Sequence, residues 1–511
     1  VSPIILFCLL GSALGFQQPL HGESISYITA QGAAATIEWP ENHEIRNVLQ
    51  GTMFSPGAAG GSSFTGIHEQ HTQSHRVKFD VERSADAVYY LFVNEEEYRF
   101  PVYSRGSYVV KKGTDGVFRQ VKIFLGSDQG NYLRVFPDGT RSRIDAYLFE
   151  RKLYGNVVVP LPFERVLTES FAELVRLTGR IIDWNLLAPR TDDPGYARLG
   201  TTAAAIRKML PRLRDADDGA MDADGVFVTI ADGKPQPSPG GFNCSGFAKW
   251  VADGVLRAAV GRLFSIEELA ARHPGYRGNR WSEPLEHVRD PYFGLDWTRN
   301  IAVGLEHAGF GEDPQRQGRP GDDPEARTAA GPQRQGRQAV DPEARTAAGP
   351  QRQGRPGDDP EARTAAGRSG QGRPGDDPEA RTAAGPQRQG RQAVDPEAMD
   401  VREVPFARYV EDVGYTAADL PIVLYYLAVT EPGWFYLASV NKEFGADPRL
   451  RQHTHVAVLL PYFTAGGRFV VNVFETNREH DFSSFLSYNK EFDLHLVRIR
   501  ARDTFELPGI E

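Results

Sequence analysis

An 18-residue unit, PQRQGRPGDDPEARTAAG, begins at Pro314 and recurs from Pro332, Pro350, Arg368 and Pro386. It constrains the fold more than any other feature, because it splits the chain into two flanks. A variant unit carries Gln-Ala-Val where the first has Pro-Gly-Asp. Eighteen residues would wind into about five helical turns. Each unit, however, holds at least two prolines and two glycines, which end helices. Stacked repeats need an apolar face, and this unit offers only alanine and an occasional valine. Residues 314–397 are therefore expected to form a disordered, charge-mixed insertion.

The flank before the insertion has two textures. Residues 22–160 carry runs such as RVKFDV, AVYYLFV, SYVVKK, FRQVKIFL and RIDAYLF, several of them separated by turn signals such as GTDG and PDGT. Short strands at that spacing predict an all-β, sandwich-like antiparallel domain. HEQHTQSH, with His68, His71 and His75, lacks the spacing of a zinc-protease helix and reads as a polar loop. From Pro162 the pattern turns helical: FERVLTESFAELVRLTGRIIDW puts Phe163, Val166, Leu167, Phe171, Leu174 and Val175 on one face. Further helices are expected at 202–214, 244–260, 265–272 and 298–308. After the insertion, DLPIVLYYLAV reads as helix or buried strand, and four strand-like runs follow. Residues 161–313 and 398–511 thus predict the helical and strand halves of one α+β domain.

The opening VSPIILFCLLGSALG has a short apolar run and a small-residue cleavage pattern, so residues 1–15 read as a signal peptide and the protein as exported. That run is too short to span a bilayer, and no later segment is long and apolar enough either. The chain holds two cysteines, Cys8 and Cys244. Removal of the signal leaves Cys244 alone, which excludes a disulfide framework. A net charge of −9 gives no support to a nucleic-acid partner.

Cys244 lies in GGFNCSGFAKW. The preceding ADGKPQPSPGG cannot be helical, whereas Phe247, Trp250, Val251 and Val255 share a helical face, so a helix starts at the cysteine with Asn243 as its N-cap. The positive end of a helix stabilises a thiolate and the oxyanion of an acyl-transfer intermediate. NCSGFAKWV resembles the nucleophile motif of NlpC-type papain-like cysteine peptidases, with Asn243 where an acidic residue is commoner. The order of HTHVAVLLPYF and GRFVVNVFE is similar to the family's histidine strand and the strand after it. The resemblance covers about ten residues around Cys244 and about twenty around His455.

It implies a papain-like α+β hydrolase domain in which Cys244 is the nucleophile, His455 the base and acid, and Asn472 the residue that orients the imidazole. His453, two residues before His455, is expected on the same strand face and is an alternative base. Glu475, on the face opposite Asn472, is the weaker orienter. The implied activity is amide-bond hydrolysis through a Cys244 thioester, by a cysteine peptidase or amidase acting on a peptide or peptidoglycan-like stem peptide, with no cofactor and no metal. The location would be periplasmic, cell-surface or secreted. Two rivals remain. One is a surface or periplasmic binding or adhesion protein with an inactive hydrolase-like domain. The other is a metal-dependent hydrolase using His453 and His455.

Overall fold

The structure, a computed structural model, describes residues 22–55, 64–271, 295–310, 399–444 and 450–510. The expected signal peptide and the repeat insertion lie outside the described residues.

The first strands, β1 (Glu23–Ile28) and β2 (Ala34–Trp39), form an antiparallel hairpin. Eight more form one sheet: β3 (Gly66–His68), β4 (Val77–Arg83), β5 (Ala87–Asn94), β6 (Tyr108–Gly113), β7 (Phe118–Phe124), β8 (Tyr132–Asp138), β9 (Arg141–Leu148) and β10 (Arg151–Val159). Their spatial order follows the sequence, β10-β9-β8-β7-β6-β5-β4-β3, and every pairing is antiparallel. This is the strand-rich region read from residues 22–160. Its strands lie in one meandering sheet rather than two facing ones. Alternation gives it a buried face: Val77 and Phe79 of β4 and Tyr108 and Val110 of β6 point into the core.

Helices pack over part of that core. The amphipathic run from Phe163 forms two helices, Phe163–Thr168 and Phe171–Thr178. All six residues expected on its inner face are buried. The break has an electrostatic cause. The Arg46 guanidinium binds the carbonyls of Leu167 at 2.5 Å and Glu169 at 2.9 Å, and the Phe171 N–H donates to Glu41 at 2.5 Å. Arg46 and Glu41 are themselves paired at 2.9 Å, their side chains 0 % and 1 % exposed. Trp39 of β2 stacks on Phe171, ring centroids 3.7 Å apart, which fixes the hairpin to the second helix.

The second sheet is built from β13 (Tyr415–Thr416), β14 (Trp434–Phe444), β15 (Leu450–Phe463), β16 (Phe469–Glu475), β17 (Arg478–His480) and β18 (Asp493–Arg500). A small hairpin, β11 (Ala220–Met221) with β12 (Phe227–Val228), precedes it in the chain. The second sheet runs β13-β18-β14-β15-β16-β17, again wholly antiparallel. DLPIVLYYLAV resolves as the helix Leu420–Thr430. The strands of this sheet are apolar on both faces because both are covered. One face shares a core with Leu420–Thr430 and the eight-stranded sheet. The other packs against helices Pro194–Met209, Cys244–Val260 and Leu295–Leu305. The architecture is therefore a large antiparallel sheet, a set of helices and a second antiparallel sheet. Among the described residues no helix is long and apolar enough to cross a membrane.

Candidate active site

Cys244 opens the helix Cys244–Val260. Asn243 caps it, in extended conformation, with its side-chain oxygen accepting the Gly246 N–H at 2.8 Å. Gly261, at φ +71°, closes the helix in the left-handed region. Position 246 must be small, since a Cβ there would come within 2.0 Å of the Gly219 carbonyl. The segment around Gly219 is also tied to the helix start, because Asn243 N–H donates to that carbonyl at 2.9 Å. Inside the helix, Lys249 and Asp253 form a fully buried pair at 2.6 Å, and Asp253 also accepts the Phe264 N–H at 2.7 Å. Burial lowers the Lys249 pKa and raises that of Asp253. These contacts fix the helix, and with it the cysteine, against its surroundings.

His455 comes from β15, is bonded to Glu475 and feels Cys244. Its Nε2 lies 2.5 Å from the Glu475 carboxylate. Burial alone would lower the imidazole pKa. Hydrogen bonding and charge from Cys244, and then from Glu475, outweigh it and raise the pKa to about 10. The second oxygen of Glu475 lies 3.4 Å from His480 Nε2, so one carboxylate bridges two histidines. The His455 side chain is 32 % exposed, whereas Cys244 as a residue is 6 % exposed. His455, Glu475 and His480 line an open cleft of about 590 Å³, with Asp215, Tyr488 and Phe492 also in its wall.

Of the residues expected from the sequence, Cys244 and His455 are brought together and Asn472 is not brought to them. Register explains this. Leu460 pairs with Asn472 and Leu459 with Val473, so Asn472 lies on the face of the even-numbered β15 residues. There its Nδ2 donates to Glu479 at 2.9 Å, and Glu479 is held from the other side by Arg207. Glu475 shares a face with His455 and takes the ring. His453 and His455 also part company, contrary to the expected common face. A bulge at Thr454 sets His455 opposite Val440 and His453 opposite Asn441. His453 is thereby 1 % exposed, its ring centroid 6.5 Å from that of the buried His495. The two histidines therefore do not face one point, as a shared metal would require. Among the described residues no group of three or more His, Cys, Asp or Glu side chains is arranged to hold a metal ion.

Sequence reasoning missed His480 and Asp215 as cleft residues and gave Glu475 too little weight. The signal for Glu475 was the turn Thr464–Arg468, closed by Thr464 N–H to Arg468 O at 2.9 Å, which sets the hairpin register.

A cysteine at a helix start, a histidine and a carboxylate on that histidine are the residue types that thiol-nucleophile chemistry uses. A family model described as a domain of unknown function, DUF8515, matches residues 36–186. That stretch runs from β2 through the eight-stranded sheet to the helix Trp184–Leu187, and ends before Cys244. No curated protein and no solved structure matches the chain.

Proposed function

We propose that the protein is an exported thiol-dependent hydrolase of amide bonds with a papain-like catalytic half, acting on a peptide or peptidoglycan-like stem peptide. The observation that carries the reading is His455 bonded to the Glu475 carboxylate and within the influence of Cys244 at the helix start. With its pKa raised to about 10, the imidazole is protonated at neutral pH and acts as the acid partner of the sulfur. Cys244 sulfur attacks the amide carbonyl carbon, forming the C–S bond, and the carbonyl oxygen becomes an oxyanion beside the helix start. Collapse breaks the C–N bond as His455 gives its proton to the leaving amine. Water then loses a proton to His455 and attacks the thioester. The C–S bond breaks, the acid leaves, and the sulfur and imidazole return to their starting forms. Glu475 orients the ring, the role that the resemblance implied for Asn472.

One observation favours a second reading, a surface or periplasmic binding protein with an inactive hydrolase-like domain: the thiol is nearly buried, at 6 % exposure of Cys244. Hydrolysis of a mixed peptide pool, followed by mass spectrometry, separates the two. The hydrolase reading expects cleavage that is lost in Cys244→Ala and after iodoacetamide treatment but survives EDTA. Cleavage sensitive to EDTA alone would transfer the reaction to a metal, and no cleavage by the intact protein would favour the binding protein.

A further inference from the structure

The second sheet offers a binding edge that the thiol chemistry does not use. β16 is covered on its outer side by β17 only at Val473, Phe474 and Glu475. Hydrogen-bond parity tells which backbone groups of its uncovered part point outward. At the end of the β14–β18 ladder, Ala501 N–H donates to Gly433 O at 2.8 Å, so the odd-numbered β14 residues bond towards β18 and the even-numbered ones towards β15. Val440 pairs with His455 and Tyr436 with Leu459, which turns the odd-numbered β15 residues towards β14. Pro461 is one of these, so its missing N–H costs the β15–β16 ladder nothing. The even-numbered β15 residues bond to Val470 and Asn472. Phe469, Val471 and Val473 therefore point their N–H and C=O groups outward.

Phe469 N–H is taken by Ser127 Oγ at 2.8 Å, and Val473 pairs with His480. Val471 lies between them with no strand partner on that side among the described residues. It is in the floor of a cleft of about 600 Å³ walled by the apolar Phe149, Phe482 and Leu486 and by the acidic Asp128 and Asp481. The third carboxylate there, Glu479, is already neutralised by Arg207 at 2.5 Å. The cleft adjoins the catalytic one, since His480 lines both.

We infer that this edge takes an extended peptide with an apolar residue next to a basic one, added as a strand beside Val471. The Val471 N–H and C=O supply two main-chain hydrogen bonds, the aromatic wall receives the apolar side chain, and Asp128 faces the cation. The occupant is a peptide because only a main chain offers a donor and an acceptor at strand spacing.

The test is fluorescence polarisation with the full chain carrying Cys244→Ala, titrated into fluorescein-labelled acetyl-Lys-Leu-Val-Leu-Lys-amide. The expected result is saturable binding, weakened about tenfold when the central peptide nitrogen is methylated. A similar loss is expected in Val471→Pro, which removes an outward N–H and leaves the β15 ladder intact. The Glu-for-Lys peptide binds more weakly than the parent, and Asp128→Asn narrows that difference. Should Val471→Pro unfold, the methylated peptide against the parent protein still decides. Absence of saturable binding, or binding indifferent to both methylation and Val471→Pro, overturns the inference. Binding of this kind in a protein whose Cys244 proves unreactive would leave the edge standing and remove the thiol reading.

Discussion

At the scale of single residues the site depends on Glu475. Its two oxygens hold His455 at 2.5 Å and His480 at 3.4 Å, and it supplies part of the field that keeps the His455 ring charged. The raised pKa has a stability consequence. A histidine that binds its proton more tightly when folded adds stability that is fully present below its unfolded pKa of about 6.5 and is lost as pH rises through the folded value of about 10. The stability difference between the parent protein and His455→Gln should therefore shrink steadily between those two pH values. Urea unfolding at intervals across that window reads it. A difference that grows with pH would mean that the ring is neutral when folded.

At the scale of elements, the buried Glu41–Arg46 pair determines where one amphipathic helix becomes two. Burial opposes ionisation of Glu41. His43, the Arg46 charge and the N–H groups of Phe171 and Asn42 overcome that and bring its pKa down to about 2. A depressed carboxylate adds stability present above its ordinary pKa near 4.5 and lost as pH falls through about 2. Glu41→Gln leaves the Arg46 guanidinium without its charge partner, and chemical denaturation should show a loss of about 3 kcal/mol at neutral pH. A loss below about 0.5 kcal/mol would mean that the Leu167 and Glu169 carbonyls suffice for Arg46. The inner face of this run was legible from the spacing of Phe163, Val166, Phe171 and Leu174. The break was not, because Glu41 and Arg46 lie more than a hundred residues upstream. The same limit governs the site. The start of the helix at Cys244 followed from local signals, the Asn243 cap and the proline-rich run before it. Whether Asn472 or Glu475 meets His455 depended on pairing across a hairpin, and the Thr454 bulge that separates His453 from His455 left no mark in the sequence.

At the scale of the whole molecule, the two flanks of the insertion meet in one structure. Arg299, on the helix before it, binds Asp400 and Asp412, which follow it, with Arg299–Asp412 at 2.8 Å; all three are buried. The helix bearing Cys244 and the strands bearing His455 and Glu475 likewise come from opposite flanks, so the proposed site is an assembly of both. The central claim is that Cys244 and His455 act as a pair oriented by Glu475. The most direct measurement is the rate of Cys244 alkylation by iodoacetamide at pH 6 in the parent protein, His455→Ala, Glu475→Gln and Asn472→Ala. The account predicts fast labelling in the parent and in Asn472→Ala, and labelling slowed at least tenfold in His455→Ala and measurably in Glu475→Gln. A parent thiol that labels no faster than free cysteine, or a rate that follows residue 472 in place of 475, would contradict it.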